Sequence, residues 1–338
     1  MNKEDQLIGR MVARIGRGRR GPRAGSGLAL GPGDDACVLR ASRGQEWVAS
    51  TDAFIEGVHF TRRLHSPDSI GYKALARAVS DLAAMGAVPR CFLLGIALPK
   101  PLDGTWVDGV SGGIARAAQK FGMELAGGDT SCADAVSINI TVFGEVRAGR
   151  AIPRSGARPG DSLFVTGRLG AAQLGFEIVQ RGLARKPELR RYTAQHFFPE
   201  PPIEVGKWLA RRRYTSAMMD LSDGLSTDLD RMCRASGVGA RIYEAELPTA
   251  RVPESLRPRG INALDLARDG GEDYQLLFTV PARFAKRIPC LLGGVRITEI
   301  GEIVRGRGVS MITADGTAAA LAPRGWDHFG RPRLSNRD

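Results

Sequence analysis

The sequence has 338 residues, of which 43% are hydrophobic and 25% are charged, and its formal net charge is +12. This length and composition are typical of a globular protein with two domains of ordinary size. No apolar run approaches the ~20 residues that span a bilayer, and the N-terminus lacks the basic-then-apolar order of a signal peptide. We therefore expect a cytoplasmic protein with no membrane partner.

The five cysteines lie far apart and form no CxxC pair. This spacing excludes a zinc ribbon and a disulfide framework, so we expect buried free thiols. They are Cys37, Cys91, Cys132, Cys233 and Cys290.

Part of the basic excess lies in an arginine- and glycine-rich arm, residues 14–23. The arm contains a formal GxGxxG pattern, but it follows no predicted strand and its interior is arginine, so we interpret it as a loop. Elsewhere the basic residues are mixed with acidic ones and have few aromatic neighbours. An anionic small substrate explains the charge at least as well as nucleic acid does. We expect no nucleic-acid partner, and a basic nucleic-acid-binding protein is the alternative from a different class.

The first half of the chain alternates helices with strands. Ser66 and Pro67 are typical of a helix start, and the apolar positions that follow continue to Met85 at helical spacing. The predicted helices cover 3–15, 66–85 and 104–121, and the predicted strands cover 36–39, 47–52, 90–98, 123–126 and 136–146.

The second half follows a basic, Gly/Pro-rich segment, residues 147–158, which indicates a domain junction. We predict an N-terminal domain at 1–148, a C-terminal domain at 149–330 and a tail at 331–338. The predicted strands cover 160–167, 217–219, 274–280, 296–304 and 308–312, and the helices cover 169–181, 202–213, 225–234 and 261–268. The fold class is α/β with mixed sheets.

Aspartates recur where predicted strands and helices begin or end. Each one alone is typical of a helix cap or a turn, but their recurrence favours one acidic cluster. Asp81 borders the buried side of its helix and needs a metal or an arginine as partner. Oxygen ligands of this kind suit Mg²⁺. The residues of the predicted cluster are Asp35, Asp52, Asp81, Asp129, Asp220 and Asp223.

The predicted acidic site has no evident nucleophile or general base. The chain contains no Walker A motif, no protein-kinase signature and no GxSxG elbow. An acidic, magnesium-loaded site without such groups indicates phosphoryl transfer, where catalysis is mostly positioning and charge neutralisation.

Six short motifs occur in an order and spacing that resemble those of thiamine-monophosphate kinase, a family within the superfamily of aminoimidazole ribonucleotide synthetase. The resemblance extends from about residue 4 to Phe329, and the closing Gly-Trp-Asp-His-Phe is its most discriminating part. The motifs are Gly33–Ala36, Ser50–Asp52, Ser80–Ala87, Gly127–Thr130, Asp220–Leu225 and Gly271–Tyr274.

The resemblance implies the two-domain architecture of that superfamily and a Mg²⁺-dependent transfer of phosphate from ATP to thiamine phosphate, giving thiamine diphosphate. It also implies a homodimer, in which N-terminal domains pair through their sheets and ATP lies near the interface. The positions that match metal ligands are Asp35, Ser50, Thr51, Asp52, Asp81, Asp129, Asp220 and Asp223. Those that match ATP contacts are Gly128, Asp129, Arg154 and Ser222. Those that match substrate contacts are His59, Glu272 and Trp326.

Each of these residues also has a structural interpretation. Arg154 could be solvated, His59 could cap its turn, Glu272 could cap a strand, and a tryptophan such as Trp326 is more often in a core. The competing enzymes belong to the same superfamily, namely aminoimidazole ribonucleotide synthetase and selenophosphate synthetase. Neither Asp228 nor Asp230 is assigned to the acidic cluster, and Asp230 is predicted on the solvent face, where it can pair with Arg234 at i,i+4 spacing.

Overall fold

The computed structural model describes residues 3–16, 27–30, 37–100 and 104–326. In these ranges the α-helices are α1 (Lys3–Ile15), α2 (Pro67–Ala84), α3 (Gly104–Phe121), α4 (Ala171–Gln180), α5 (Pro187–Arg190), α6 (Ala194–Phe197), α7 (Ile203–Arg212), α8 (Leu225–Ser236), α9 (Ala263–Asp269) and α10 (Ala282–Ala285). The strands are β1 (Leu28–Leu30), β2 (Val38–Leu39), β3 (Gln45–Ile55), β4 (Val88–Leu98), β5 (Glu124–Cys132), β6 (Ser137–Arg147), β7 (Asp161–Thr166), β8 (Ala217–Asp220), β9 (Gly239–Tyr243), β10 (Leu276–Pro281), β11 (Leu291–Leu292), β12 (Val295–Val304), β13 (Gly308–Ile312) and β14 (Ala318–Ala320).

The first sheet has the strand order β3-β6-β4-β5, antiparallel except for the β4–β5 pair. Helix α2 packs on β3 and β6, and α3 packs on α2. The two helices approach closely because glycines face the opposite backbone: a Cβ on Gly71 would collide with the carbonyl of Val110. Ser66 caps α2 as predicted, since its hydroxyl accepts a hydrogen bond from the backbone N–H of Ser69 at 3.2 Å.

The second sheet has the order β14-β13-β9-β12-β7-β10-β8 and is antiparallel except for the β13–β9 pair. Its edge strand β8 packs against α2, which belongs to the first half of the chain. One hydrophobic core joins the two halves, because Val79 and Leu82 of α2 belong to the same buried cluster as Met218 and Phe278. Helix α2 therefore lies between the two sheets.

The α/β fold with mixed sheets is confirmed, and the longer helices lie where the sequence predicts them. Strands β3 to β6 form the first sheet, β1 and β2 pair separately, and the strands from Asp161 form the second sheet, so the basic segment 147–158 connects the two large sheets. Within the described ranges, no helix is long and apolar enough to cross a membrane. Most of the arginine-rich arm, together with Asp35, lies outside the described residues.

Several predictions of local structure were wrong. The strands predicted to end at Asp52 and near Asp129 instead continue past them, to Ile55 and Cys132. The prediction of buried thiols holds for only two of the five cysteines, since Cys132 and Cys290 are exposed and Cys37 is half-buried. The short helices α5, α6 and α10 were not predicted, because one turn of helix carries too few residues to establish a periodic pattern.

Candidate active site

Three carboxylates from different elements lie close enough between the two sheets to act on one another's charge. Asp52 comes from β3, Asp81 from the last turn of α2, and Asp220 from the end of β8. The hydroxyl of Ser50 donates to Asp81 at 2.5 Å, and the hydroxyl of Ser80 donates to Asp220 at 2.7 Å. Each of these two aspartates thus accepts a serine hydroxyl, and Arg154 and Arg77 also act on the charge of Asp81.

The negative charge of this group is incompletely balanced. Burial, followed by the Asp81 carboxylate, raises the pKa of Asp220 well above its usual range. Burial and the Asp52 carboxylate also raise the pKa of Asp81, although Ser50, Arg154 and Arg77 oppose that rise. A raised pKa means that the surroundings of these side chains disfavour the ionised form. A cation bound beside them would therefore stabilise the ionised carboxylates.

The donor set fits Mg²⁺ that arrives with a nucleotide better than it fits a closed metal cage. Within the described part of the chain, no group of three or more His, Cys, Asp or Glu side chains lies in an arrangement that could hold a metal ion by itself. Mg²⁺ usually binds through one or two carboxylates together with substrate phosphates and water. The uncompensated charge at Asp81 and Asp220 suits such shared coordination.

Asp228 holds the turn that follows β8. Its Oδ2 accepts the backbone N–H groups of Ser222, Asp223 and Gly224 at 3.0–3.1 Å, and its Oδ1 accepts from Arg231 at 2.9 Å. Arg231 also pairs with Asp223. Asp228, which the sequence left without a role, is fully buried because it replaces the hydrogen bonds that the turn would otherwise make with water.

The turn after β8 is joined to the Gly-Glu-Asp-Tyr turn before β10. The N–H of Glu272 donates to the carbonyl of Ser222 at 2.7 Å, and the N–H of Tyr274 donates to the carbonyl of Leu221 at 2.8 Å. Glu272 and Tyr274 have φ values of 65° and 49°, a region that non-glycine residues occupy at a cost and that recurs at functional sites. The surrounding hydrogen bonds hold Glu272 in this strained position.

Behind Glu272 lies a buried lysine that the sequence analysis missed. The ammonium of Lys73 donates to Glu272 at 2.7 Å, and it lies 3.5 Å from Nδ1 of His196, whose Nε2 is 3.0 Å from Nε2 of His65. Burial lowers the pKa of both histidines, that of His65 to about 4, so both rings are neutral. Burial acts to raise the pKa of Glu272, but Lys73 and Arg77 together keep it below its usual value. Glu272 is therefore an ionised carboxylate.

His59 lies close enough to Glu272 to influence its charge. Its Nδ1 accepts the backbone N–H of Ile55 at 3.1 Å, so the proton of the neutral ring is on Nε2. The turn-capping interpretation of His59 is thus borne out for one ring nitrogen. The other nitrogen is the one through which a substrate contact would be made.

The C-terminal Gly325–Trp326 segment packs on the start of α8. The N–H of Gly325 donates to the hydroxyl of Thr227 at 2.9 Å, and the N–H of Trp326 donates to the carbonyl of Asp223 at 3.0 Å. Residue 325 must be glycine, because a Cβ there would collide with that same carbonyl. The side chain of Trp326 is 49% exposed, so it is not a core residue and can offer a ring face beside Asp223.

Comparisons with known proteins agree with this geometry. Residues 33–146 match the N-terminal domain of AIR synthase related proteins, and residues 158–314 match their C-terminal domain. The thiamine-monophosphate kinase of Escherichia coli K12 is 37% identical over 90% of this chain and 93% of its own length. The chain belongs to the thiamine-monophosphate kinase family. The enzyme of Bacillus subtilis 168 is 33% identical, over 90% of this chain and 94% of its own length.

Solved structures of thiamine-monophosphate kinases also match the fold. AaThiL complexed with AMPPCP and TMP superimposes with a TM-score of 0.77 at 33% identity, covering 86% of this chain and 89% of that chain. The thiamine-monophosphate kinase of Stenotrophomonas maltophilia K279a gives a TM-score of 0.76 at 30% identity, covering 93% and 96% of the two chains.

The structure brings together most, but not all, of the described residues that the likeness to thiamine-monophosphate kinases singled out. Arg154, on the surface, is close enough to act on the charge of Asp81, and Ser222 forms part of the joined turns. Thr51 is exposed, and its hydroxyl accepts a hydrogen bond from Thr141 at 3.0 Å. In a strand, consecutive side chains point to opposite faces, so the Thr51 side chain lies on the other face of β3 from Ser50 and Asp52.

Gly128 and Asp129 are the other residues that stand apart in this thiamine-monophosphate kinase fold. Both are exposed on β5, and the strands β4 and β6 separate β5 from β3. At the usual strand spacing, about 14 Å lies between β5 and β3. The metal role predicted for Asp129 therefore does not arise from direct contact with Asp52 in a single chain.

Two cations at the site were missed because α2 was interpreted through its apolar stripe. Lys73, Arg77 and Asp81 recur at i, i+4 and i+8, a spacing that places side chains on one helix face. This polar spacing was the available signal. It gives no indication of burial, however, because lysine is almost never buried without a partner and Glu272, its partner, is distant in sequence.

Proposed function

We propose that this chain transfers the γ-phosphoryl group of ATP to thiamine phosphate, giving thiamine diphosphate. The observation that carries the proposal is the presence of two separate carboxylate groups, one suited to Mg²⁺ with the phosphates of ATP and one suited to the cationic rings of thiamine. Asp52, Asp81 and Asp220 lie on one side, and the ionised, half-buried Glu272 lies on the other with His59 beside it. The likeness to AaThiL, solved with AMPPCP and TMP, supports the same substrates.

The acceptor suits a site without a general base. A phosphate monoester has its second pKa near 6, so the acceptor oxygen of thiamine phosphate is already ionised at neutral pH. The histidines in the protein interior, His65 and His196, have pKa values lowered by burial, and they contact each other and, through His196, Lys73. The role of the chain is therefore to bind and align two anions that repel each other.

The carboxylates Asp52, Asp81 and Asp220 would hold Mg²⁺ together with the phosphates of ATP. Bound there, Mg²⁺ would screen the repulsion between ATP and the acceptor phosphate. Ser50 and Ser80 orient two of these carboxylates through their hydroxyl groups. Asp35, Asp129 and Asp223 are proposed as further ligands, and Gly128, Arg154 and Ser222 as nucleotide contacts, on the family likeness. Thr51 would serve only through its backbone, because its side chain lies on the other face of β3.

Glu272, His59 and Trp326 are proposed to bind the thiamine moiety. The Glu272 carboxylate provides the negative charge for the thiazolium or aminopyrimidine group, and Lys73 keeps it ionised. The half-exposed ring of Trp326 offers a flat surface on which a cationic ring can stack.

An assay with three acceptors tests the proposed function. Purified protein is incubated with ATP and Mg²⁺ and with thiamine phosphate, free thiamine or an aminoimidazole ribonucleotide precursor. We expect thiamine diphosphate from thiamine phosphate and no comparable ATP consumption with the precursor. Failure to form thiamine diphosphate would overturn the proposal, and turnover of the precursor would favour an aminoimidazole ribonucleotide synthetase activity.

Transfer is proposed to be direct, without a phosphorylated enzyme. Among the described residues, the site offers carboxylates and hydroxyl groups but brings no activated nucleophile to the acceptor. ATP made chiral at the γ-phosphorus should therefore give thiamine diphosphate with inverted configuration. Retention would indicate two successive transfers and would refute the direct route.

We further propose that the chain forms a homodimer through the outer face of the first sheet. On this face Ala49, Thr51 and Ala53 of β3 and Asn139 of β6 are exposed, so small and uncharged side chains are available for pairing. Light scattering coupled to size-exclusion chromatography should give twice the mass of 36.3 kDa. Ala53→Arg should return the mass to that of one chain, whereas a wild-type mass of 36.3 kDa would refute the proposal.

A further inference from the structure

Arg77 lies one helical turn after Lys73 on α2 and reaches between the two parts of the proposed site. Its guanidinium carbon is 5.1 Å from the centroid of the Phe54 ring. One terminal nitrogen makes a long hydrogen bond of 3.4 Å to the carbonyl of Ala53. The aromatic ring and β3 therefore hold the planar group in place without saturating its donors.

Carboxylates surround Arg77 but none pairs with it. Burial acts to lower its pKa, but Tyr274, Asp52, Glu272 and Asp223 together raise it. In the described parts of the chain, no acidic side chain forms an ion pair with Arg77, and its buried Nε has no hydrogen-bond partner. An arginine that served only as counter-ion would be expected to pair with one of these carboxylates, as Lys73 pairs with Glu272.

The charges around Arg77 belong to both halves of the proposed site. Asp52 and Asp223 belong to the side proposed for Mg²⁺ and ATP, and Glu272 belongs to the side proposed for the thiamine rings. The phosphate of thiamine phosphate must lie between its own rings and the γ-phosphoryl group that it attacks. Because the charges of both halves act on Arg77, its unpaired donors lie within reach of both.

We propose that Arg77 binds the phosphate group of the acceptor and thereby selects thiamine phosphate over free thiamine. This inference rests on the proposed function. The planar arginine fork matches phosphate oxygens with two parallel hydrogen bonds, and a buried donor left unpaired disfavours a ligand that lacks the matching group. Arg77 is thus a specificity-determining residue in addition to those that the family likeness indicates.

Comparing two ligands separates this role from a structural one. Isothermal titration calorimetry is carried out with thiamine phosphate and with thiamine, each in the presence of Mg²⁺ and a non-hydrolysable ATP analogue. Arg77→Met should weaken binding of thiamine phosphate by about 10- to 100-fold and leave thiamine binding within about twofold. Arg77→Lys should recover part of the loss, because it restores the charge but not the fork.

Arg116→Met is the matched control. Arg116 lies on α3, and its guanidinium carbon is 4.9 Å from the ring centroid of Tyr72 and 4.5 Å from that of Phe198. Its guanidinium group also forms an ion pair with Asp68. This substitution also removes an arginine that stacks on aromatic rings, but away from the site. Both affinities should remain at the wild-type value.

The outcomes separate the inference from the proposed function. Wild-type protein that forms no thiamine diphosphate, or binds neither ligand, overturns both. If the wild type forms thiamine diphosphate but Arg77→Met binds thiamine phosphate as tightly as the wild type does, only the role of Arg77 is overturned. An equal loss for thiamine and thiamine phosphate overturns it too, because phosphate recognition cannot weaken a ligand that has no phosphate.

Discussion

The turns at residues 220–224 and 270–274 look alike in sequence, since both combine glycine with two acidic residues, yet their carboxylates divide into two kinds. Asp220 and Glu272 receive side-chain hydrogen bonds, from Ser80 and Lys73, and take part in the proposed site. Asp273 is buried and accepts the backbone N–H groups of Gly170 and Ala172 at the start of α4.

Asp228 has the same role in the turn at residues 220–224 that Asp273 has at the start of α4: its carboxylate accepts backbone N–H groups, three of them in this turn. A carboxylate that satisfies backbone donors contributes to folding, because those donors would otherwise be buried without partners. A carboxylate that faces other side chains and is incompletely balanced contributes to binding. Substitutions of the two kinds should therefore have separable effects on turnover and on the free energy of unfolding.

The largest expected effect on turnover is that of Asp220→Asn. The amide keeps an oxygen that can accept from Ser80 but loses the charge that would hold Mg²⁺ and ATP, so kcat/KM should fall by at least about 100-fold. Steady-state kinetics of thiamine diphosphate formation check this. Asp230→Asn is the control, because Asp230 pairs with Arg234 as predicted and its loss should leave kinetics unchanged. A fall of less than tenfold for Asp220→Asn would place Asp220 outside the reaction.

Glu272→Gln should act mainly on one substrate. Removing its charge should raise the KM for thiamine phosphate by about 10- to 100-fold, as expected for a lost charge-assisted contact, and leave the KM for ATP within about twofold. Because the variant also leaves Lys73 buried without a counter-charge, the double variant Lys73→Met/Glu272→Gln serves as the control for stability. Equal increases in both KM values would contradict a specific role toward thiamine.

Asp273→Asn should have a smaller effect, seen in the pH dependence of stability. Burial raises the pKa of Asp273 to about 7, although backbone hydrogen bonds oppose the rise. Since this pKa is above the usual value, the folded protein binds the Asp273 proton more tightly than the unfolded protein does. The stabilisation that proton binding gives the folded state is fully present below about pH 4 and is lost as the pH rises through 7. Urea unfolding at pH 5 and pH 8 should therefore show the variant gaining stability relative to wild type at pH 8. Parallel curves would refute this assignment.

The sequence allowed the fold class, the long helices and the grouping of three of the six cluster aspartates to be predicted, because each depends on local patterns. Asp52, Asp81 and Asp220 could be grouped since each follows an apolar run that a sheet or helix places in the interior. Lys73 and Arg77 could not, because their environment is formed by Glu272 and Asp223, which are distant in the chain. The burial of Asp228 was missed for a related reason: its partners are backbone N–H groups, which no residue pattern reveals.

The most direct test of this division is the free energy of unfolding of Asp220→Asn and Asp228→Asn, measured by urea denaturation at pH 8. Asp220→Asn should be at least as stable as wild type, because it removes a buried charge that Asp81 and Asp52 disfavour. Asp228→Asn should be less stable by about 1–3 kcal/mol, because the amide keeps one oxygen, so either the three backbone N–H groups or Arg231 lose their acceptor and face the NH2 group instead. Equal destabilisation of both variants would contradict the distinction between binding and folding carboxylates.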